Sequence, residues 1–409
     1  MKSAVRNKLF VMMVLEFFIW GAWLPLVWPY MGALGFTGSQ IALVGSAFAI
    51  ASVVAIFFSN QFADRTFAAQ KFMAFSHLIG GLSMLGLYFT KSFPAFFALM
   101  LVHSLFYVPT ISVANSIAFA NLKDSQKEFG IVRMGGTIGW ILASWPLYFV
   151  LKGTEGAALQ QARAYIFIVA GVASLLLAAF SLTLPHTPPK PATGQDRLAW
   201  LRAAKLLSVP YILILFIVTF IDATIHNGYF LMTGGFLGEV GIKPENIMPV
   251  MSIGQVAEIL TMAVLGWFLA RLGWRVTLVL GILGHAARFA VFALFPQVPE
   301  AIIVVQVLHG ICYAFFFATV YIFIDVAFPK DVRASAQGLF NLLILGLGDL
   351  AAKWIFIPLQ ASLTHGGQID YRSLFLIPTA MALGAAVLLA LFFRPPERFE
   401  ATSDAVAVA

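Results

Sequence analysis

The chain is short of charge. Only 11% of its 409 residues are Asp, Glu, Lys or Arg, against 61% hydrophobic ones, whereas a soluble globular chain carries about 25% charged residues. So few ions cannot dress a solvated surface of this size, and a mean hydropathy of +0.91 agrees. The chain is expected to cross a bilayer many times. Cysteine is nearly absent as well. Cys312 alone excludes an intramolecular disulfide, and its apolar neighbours mark it as a small packing residue. His-x-x-x-His and Glu-x-x-His spacings are missing. Neither an enzyme, a metal centre nor a cofactor is therefore expected.

Apolar length is abundant instead. Windows of about 20 apolar residues, the length a hydrocarbon core demands, fall at 9–31, 41–62, 72–90, 94–120, 132–151 and 164–184. They resume at 208–236, 247–269, 276–294, 299–325, 335–359 and 373–393. The expected fold is an all-α membrane protein of twelve transmembrane helices. "MKSAVRNK" looks like the start of a signal peptide. The apolar stretch after it is too long and too aromatic, and no small-residue cleavage site follows, so it reads as the first span. The stretch 185–207, "PHTPPKPATGQDRLAWLRAAKLL", is Pro-rich, then basic and amphipathic. It divides a six-helix half at 1–184 from a second at 208–394, with a tail at 395–409 that is too short for the soluble domain of a sensor.

Alternate loops separate by charge. Seventeen of the 25 basic residues fall on the side that carries both termini, among them Lys2, Arg6, Lys8, Lys71, Lys205, Arg271, Arg275 and Arg394. The opposite side has Lys91, Lys152, Arg163, Lys243 and Arg372. This asymmetry puts both termini in the cytoplasm of a cell whose inner membrane the chain spans. It also accounts for the net charge of +7 without a nucleic-acid partner.

The halves echo each other. "NQFADRTFAAQK" (60–71) follows the second span and "GWFLARLGWR" (266–275) follows the eighth, about half a chain later. Two six-helix repeats that hold a substrate between them form a transporter architecture. Twelve spans, a central linker and this repeated loop resemble the major facilitator superfamily. Ala63, Asp64 and Arg65 fit its loop signature with Asn60 in place of a glycine, while the second copy keeps Gly266, Arg271, Gly273 and Arg275 but has Ala270 where an acid would stand.

Three basic residues remain inside spans: Arg133, Arg288 and Lys353. A guanidinium at the centre of a membrane helix costs about 3 kcal/mol on insertion scales unless it snorkels, pairs or meets water. Asp349 and Lys353, at i and i+4, read as a self-neutralising pair. Arg288 and His285 are expected to snorkel, and Glu16 is left open between structure and function. Other faces hold more chemistry. Arg133, Thr137 and Trp140 put a cation, a hydroxyl and a ring on one face. Gln255 and Glu258 share another, as do His309 and Tyr313 with Phe317 one turn on. Asp222, His226, Asn227 and Phe230 lie mid-span, where glycines 228, 234 and 235 are expected to let the seventh helix bend. Each pair alone reads equally as interhelical glue. Together, amides, hydroxyls, carboxylates and flat rings suit a planar, polyhydroxylated solute.

"FFIWGAWLPLVWPY" (17–30), "PTISVANSIAF" (109–119), "RMGGTIGW" (133–140), "SIGQVAEIL" (252–260), "LHGICYAFFF" (308–317) and "RASAQGLF" (333–340) resemble blocks of the nucleoside:proton symporter family within that superfamily. The resemblance implies a major facilitator fold of two six-helix bundles acting as a monomer, with nucleoside as substrate and protons as coupling ion. It places Arg133, Thr137, Trp140, Gln255, Glu258, His309 and Tyr313 at binding positions. Asn227 and Phe230 fall where a glutamine and an asparagine are expected. The family's aspartate after the helix 10 tyrosine, thought to pair with the helix 5 arginine, is Ala314 here. Glu258 is then the expected counter-ion of Arg133, with Asp222 second, and these three are the candidates for proton coupling. An uncoupled facilitator and a sugar or polyol carrier of the same fold are the rival functions; a membrane-embedded enzyme or a sensor is the rival class.

Overall fold

Proline and glycine punctuate the apolar runs. The computed structural model describes residues 2–55, 67–122, 125–189, 204–328 and 333–396. The helices are α1 (Lys2–Ala33), α2 (Gly38–Val54), α3 (Ala69–Phe89), α4 (Phe93–Asn121) and α5 (Ser125–Leu151). Next come the α6 span (Gly156–Ser181) and α7 (Pro210–Glu239). Among the described residues ten helices are long and apolar enough to cross a membrane. One of them, Ile247–Leu294, has 48 residues, about twice what a bilayer needs. It turns at Gly273, whose φ of 70° belongs to the region glycine reaches without strain, and so forms two helices, α8 (247–272) and α9 (274–294). With α10 (Pro299–Ala327), α11 (Ala336–Ser362), α12 (Tyr371–Phe392) and the 17-residue α2, the twelve expected helices are present.

Local chemistry sets the ends. Thr37 and Gln40 close a reciprocal capping box at the start of α2. Prolines open the first turns at Pro94, Pro210 and Pro299. Gly366 and Gly367, both at positive φ, make the two-residue turn of a small hairpin joining α11 to α12, with Thr364 opposite Ile369. Two π turns, Tyr313–Ala318 in α10 and Leu342–Leu347 in α11, interrupt otherwise α-helical spans. The Thr319 hydroxyl reaches back five residues to the Ala314 carbonyl in the first of them.

The chain divides into two compact units, Met1–Pro191 with Phe230–Gln255, and Ala192–Tyr229 with Val256–Ala409. The division passes through α7 and α8. Within the first unit α1 packs on α5 and α6, and α3 on α4 and α6. Glycines permit the α1–α5 approach. A Cβ on Gly135 would lie 2.7 Å from the Phe10 carbonyl, and one on Gly139 would collide with that of Val14. Gly228 and Gly234 of α7 serve the same purpose, in a helix that runs without interruption. A Cβ on Gly228 would meet the Phe356 ring at 2.6 Å, and one on Gly234 the Pro25 carbonyl at 2.5 Å. Residues 60–66 of the first loop repeat and 190–203 of the linker lie outside the described residues.

Candidate functional site

The "RMGG" start of the α5 motif explains how Arg133 is held. Its guanidinium carbon lies 4.2 Å from the Phe17 ring centroid, a cation–π contact across the α1–α5 seam. A Cβ on Gly136 would stand 2.5 Å from Arg133 Nη1 and 2.8 Å from the Phe17 ring, so only glycine leaves room for this stack. One face further along, Trp140 meets the edge of Trp20 at 5.5 Å and that of Phe230 at 5.4 Å. Trp20 in turn stacks on Phe48 at 4.9 Å. Four rings from α1, α2, α5 and α7 thus form a continuous aromatic row in the first unit. Thr137 is half-buried on the same helix.

Among the described residues of this unit, several enclosed polar atoms have no hydrogen-bond partner, and two of them lie at the aromatic row or in the α8 motif: the indole Nε1 of Trp20 and the side-chain carbonyl of Gln255, a residue only 5% exposed. One is a donor and one an acceptor. A buried polar group left unpaired costs about 1–3 kcal/mol, so both are candidates for a ligand's hydrogen bonds. Gln255 was expected from its spacing. Trp20 was not, although its place in an unusually aromatic first span was a usable signal. Glu258, one turn past Gln255, is half-buried.

The second unit assembles a different group. Arg288 has no exposed surface, so it does not snorkel as expected. Its Nη1 lies 2.8 Å from His309 Nδ1, its Nη2 3.0 Å from His285 Nδ1, and its guanidinium 4.0 Å above the Tyr229 ring. Arginine can only donate, so both Nδ1 atoms accept and each imidazole carries its proton on Nε2. His285 Nε2 then faces the Asp222 carboxylate at 3.5 Å. The result is a chain of groups, Asp222–His285–Arg288–His309, linking α7, α9 and α10. Neither Asp222 oxygen has a hydrogen bond. Asp222, expected as an alternative partner of Arg133, has Arg288 as the cation of its own surroundings. His309 also packs on Tyr229 and His226, and His226 reaches Tyr313 and Phe317. His309 and Tyr313 therefore do share one aromatic nest, tied to a buried cation that the sequence reading had set aside.

Asn227 donates to the carbonyls of Ala223, 2.8 Å away, and Ile344, 3.1 Å away. Ile344 lies in the α11 π turn, so the Asn227 amide satisfies backbone and leaves its oxygen for other partners. Asp349 and Lys353 form the expected ion pair. Ala314 is fully buried with Leu265, Phe315 and Ala318, against Phe268, Leu269 and Ile311. An acid at that position would be enclosed by apolar side chains.

A last centre went unnoticed in the sequence. Glu16 and His77, both without exposed surface, meet at 2.8 Å in the first unit, with Thr110 donating to the other Glu16 oxygen at 2.7 Å. His77 was not among the residues singled out from the sequence.

The sequence pattern of the nucleoside H+ symporter family matches residues 1–398. Among curated proteins, the chain is 33% identical over 400 residues to the Escherichia coli K12 transporter YegT, covering 95% of this chain and 93% of that one. It is 27% identical over 413 residues to the nucleoside permease NupG of the same organism, covering 95% of each. The crystal structure of a mutant of the nucleoside transporter NupG superposes with a TM-score of 0.85 at 26% identity, over 95% of this chain and all of that one. The helices follow the major facilitator fold, as those of these relatives do. On this match over nearly its whole length, the chain belongs to the nucleoside H+ symporter family.

Proposed function

We propose that this chain carries nucleosides inward across a bacterial inner membrane by alternating access, coupled to protons. In this reading the halves at 1–184 and 208–394 are the moving bodies, the 185–207 linker joins them, and both termini are cytoplasmic. The observation that carries it is the family match over residues 1–398. Trp140, Phe230 and Tyr313 are the rings that pack or stack on a base or ribose; Gln255, Glu258, Asn227 and His309 bond its polar edges; Arg133 orients Thr137 and Trp140. The enclosed, unpartnered carbonyl of Gln255 supports a polar ligand over a purely apolar one.

Uptake of radiolabelled uridine into proteoliposomes tests the reading, with adenosine and a hexose as competitors, with and without an inside-alkaline pH gradient. Accumulation above equilibrium only under the gradient, displaced by adenosine and not by hexose, is the expected result. Equilibration without accumulation makes the chain a facilitator, and displacement by hexose moves it to sugars or polyols.

A further inference from the structure

Glu16 on α1 and His77 on α3 make a closed centre outside the residues proposed to touch the ligand. The hydrogens around it can be counted. Ser174 Oγ donates to the His77 carbonyl at 2.9 Å, and a hydroxyl has one hydrogen, so toward His77 Nδ1, 3.2 Å away, the oxygen can only accept. His77 Nδ1 therefore carries a proton. The single Thr110 hydrogen is shared between Glu16 Oε1 at 2.7 Å and the Tyr107 carbonyl at 2.5 Å. That leaves His77 Nε2 and Glu16 Oε2 facing each other at 2.8 Å. Without a hydrogen between them two lone pairs would meet in a dry interior. The pair therefore holds one proton, either as imidazolium with carboxylate or as imidazole with carboxylic acid.

Its surroundings connect it to the α5 face. Glu16 precedes Phe17, the ring under Arg133, and stands one helical turn from Trp20, which abuts Trp140. Tyr107 on α4 donates its hydroxyl to the Glu16 carbonyl at 2.6 Å and stacks on His103, whose Nδ1 bonds the Gly80 carbonyl. The ionisable groups around the pair are thus His103 and Tyr107 from α4, with Arg133 of α5 held on the ring of Phe17, the residue after Glu16, while α6 contributes the Ser174 hydroxyl. Arg133 is the permanent cation among them.

We propose that Glu16 and His77 form a proton-binding site in the first unit, whose loading governs how Arg133 and the Trp20–Trp140 wall meet substrate. This deepens, and rests on, the reading of the chain as a proton-coupled carrier. With the proton bound, the pair is neutral and Arg133 is left to the ligand. Its loss leaves a net negative charge beside α1, which draws Arg133 toward Glu16 and shifts the α1 segment bearing Phe17 and Trp20. Occupancy by proton and by nucleoside then become linked through one helix, and linkage of this kind is reciprocal.

The test separates exchange from accumulation in proteoliposomes loaded with uridine. Exchange of labelled for unlabelled uridine moves no net proton; accumulation under an inside-alkaline gradient does. Glu16→Gln keeps the shape and can still bond His77 and Thr110. It is expected to retain measurable exchange while its accumulation ratio falls to about one. His77→Gln, the second variant, should behave alike. Ser174→Ala frees the His77 tautomer and should displace the pH profile of accumulation without abolishing it. Proton uptake or release on adding uridine to the purified chain should be present in wild type and missing in both dyad variants. Undiminished accumulation in Glu16→Gln and His77→Gln overturns the site and leaves proton-coupled transport standing. Wild-type exchange that never becomes accumulation overturns the coupled reading and this site with it.

Discussion

Replacing Arg288 with glutamine asks whether the α7–α9–α10 cluster is an ion pair bridged by imidazole or ordinary interhelical glue. The guanidinium is fully buried, bonds His309 and His285, and reaches Asp222 through the latter. Removing it strands the Asp222 charge, and breaking a buried pair from one side costs about 3–5 kcal/mol. Single hydrogen bonds between membrane helices average only about 0.6 kcal/mol, so losing two of them falls well short of that figure. At about 2–4 °C per kcal/mol for a domain of 150–250 residues, Arg288→Gln should unfold about 6–20 °C earlier than wild type. Thermal unfolding of detergent-solubilised protein, followed by tryptophan fluorescence, measures this. The sharper comparison is the cycle with Asp222→Asn. If the two charges answer each other, the double variant regains most of the stability lost by Arg288→Gln, because neither charge is then stranded. Additive losses in the two single variants would refute the pairing.

Three further outcomes are expected. Gln255→Ala should weaken nucleoside binding by about 5- to 150-fold, the equivalent of about 1–3 kcal/mol for a ligand group left unpaired; calorimetry that finds every nucleoside bound as before removes Gln255 from the site. Trp140→Phe should impair uptake less than Trp140→Ala, since a smaller ring still closes part of the gap between Trp20 and Phe230; wild-type uptake by both variants assigns the row to packing. Gly139→Leu should prevent assembly because its side chain must enter the Val14 backbone, whereas Gly266→Ala, with nothing within 4 Å, should express normally; a well-folded Gly139→Leu would mean that α1 and α5 are further apart than described.

The helix count and the Asp349–Lys353 pair were legible because both are local. Apolar length and an i,i+4 spacing need no knowledge of neighbours. The aromatic partners of Trp140 were half legible: the α5 face could be drawn on a helical wheel, but Trp20 and Phe48 come from two other helices. Arg288 was misjudged because its depth along a span was visible and its rotation was not. Its partner His309 lies 21 residues away on the next helix. The Glu16–His77 pair joins residues 61 apart, each alone in an apolar run. No single-helix pattern announces such a pair. Gly228 and Gly234 of α7 show the same limit: the close approaches to Phe356 and Pro25 that they permit depend on other helices.

The π turn at Tyr313–Ala318 has a consequence for how α10 tolerates change. A π turn carries one residue more than the α ladder would use, and one residue is worth about 100° of rotation. The wide turn absorbs that residue, so the segment with His309 keeps its facing to the polar cluster while Val320, Phe323 and Ile324 keep theirs to their apolar contacts. Deleting one residue between 313 and 318 would return the turn to the α ladder and leave Phe323 and Ile324 on the surface that buries them. The same deletion made between 319 and 322 has no wide turn to absorb it and would swing them by about 100°. In this helix the place of a deletion decides its cost.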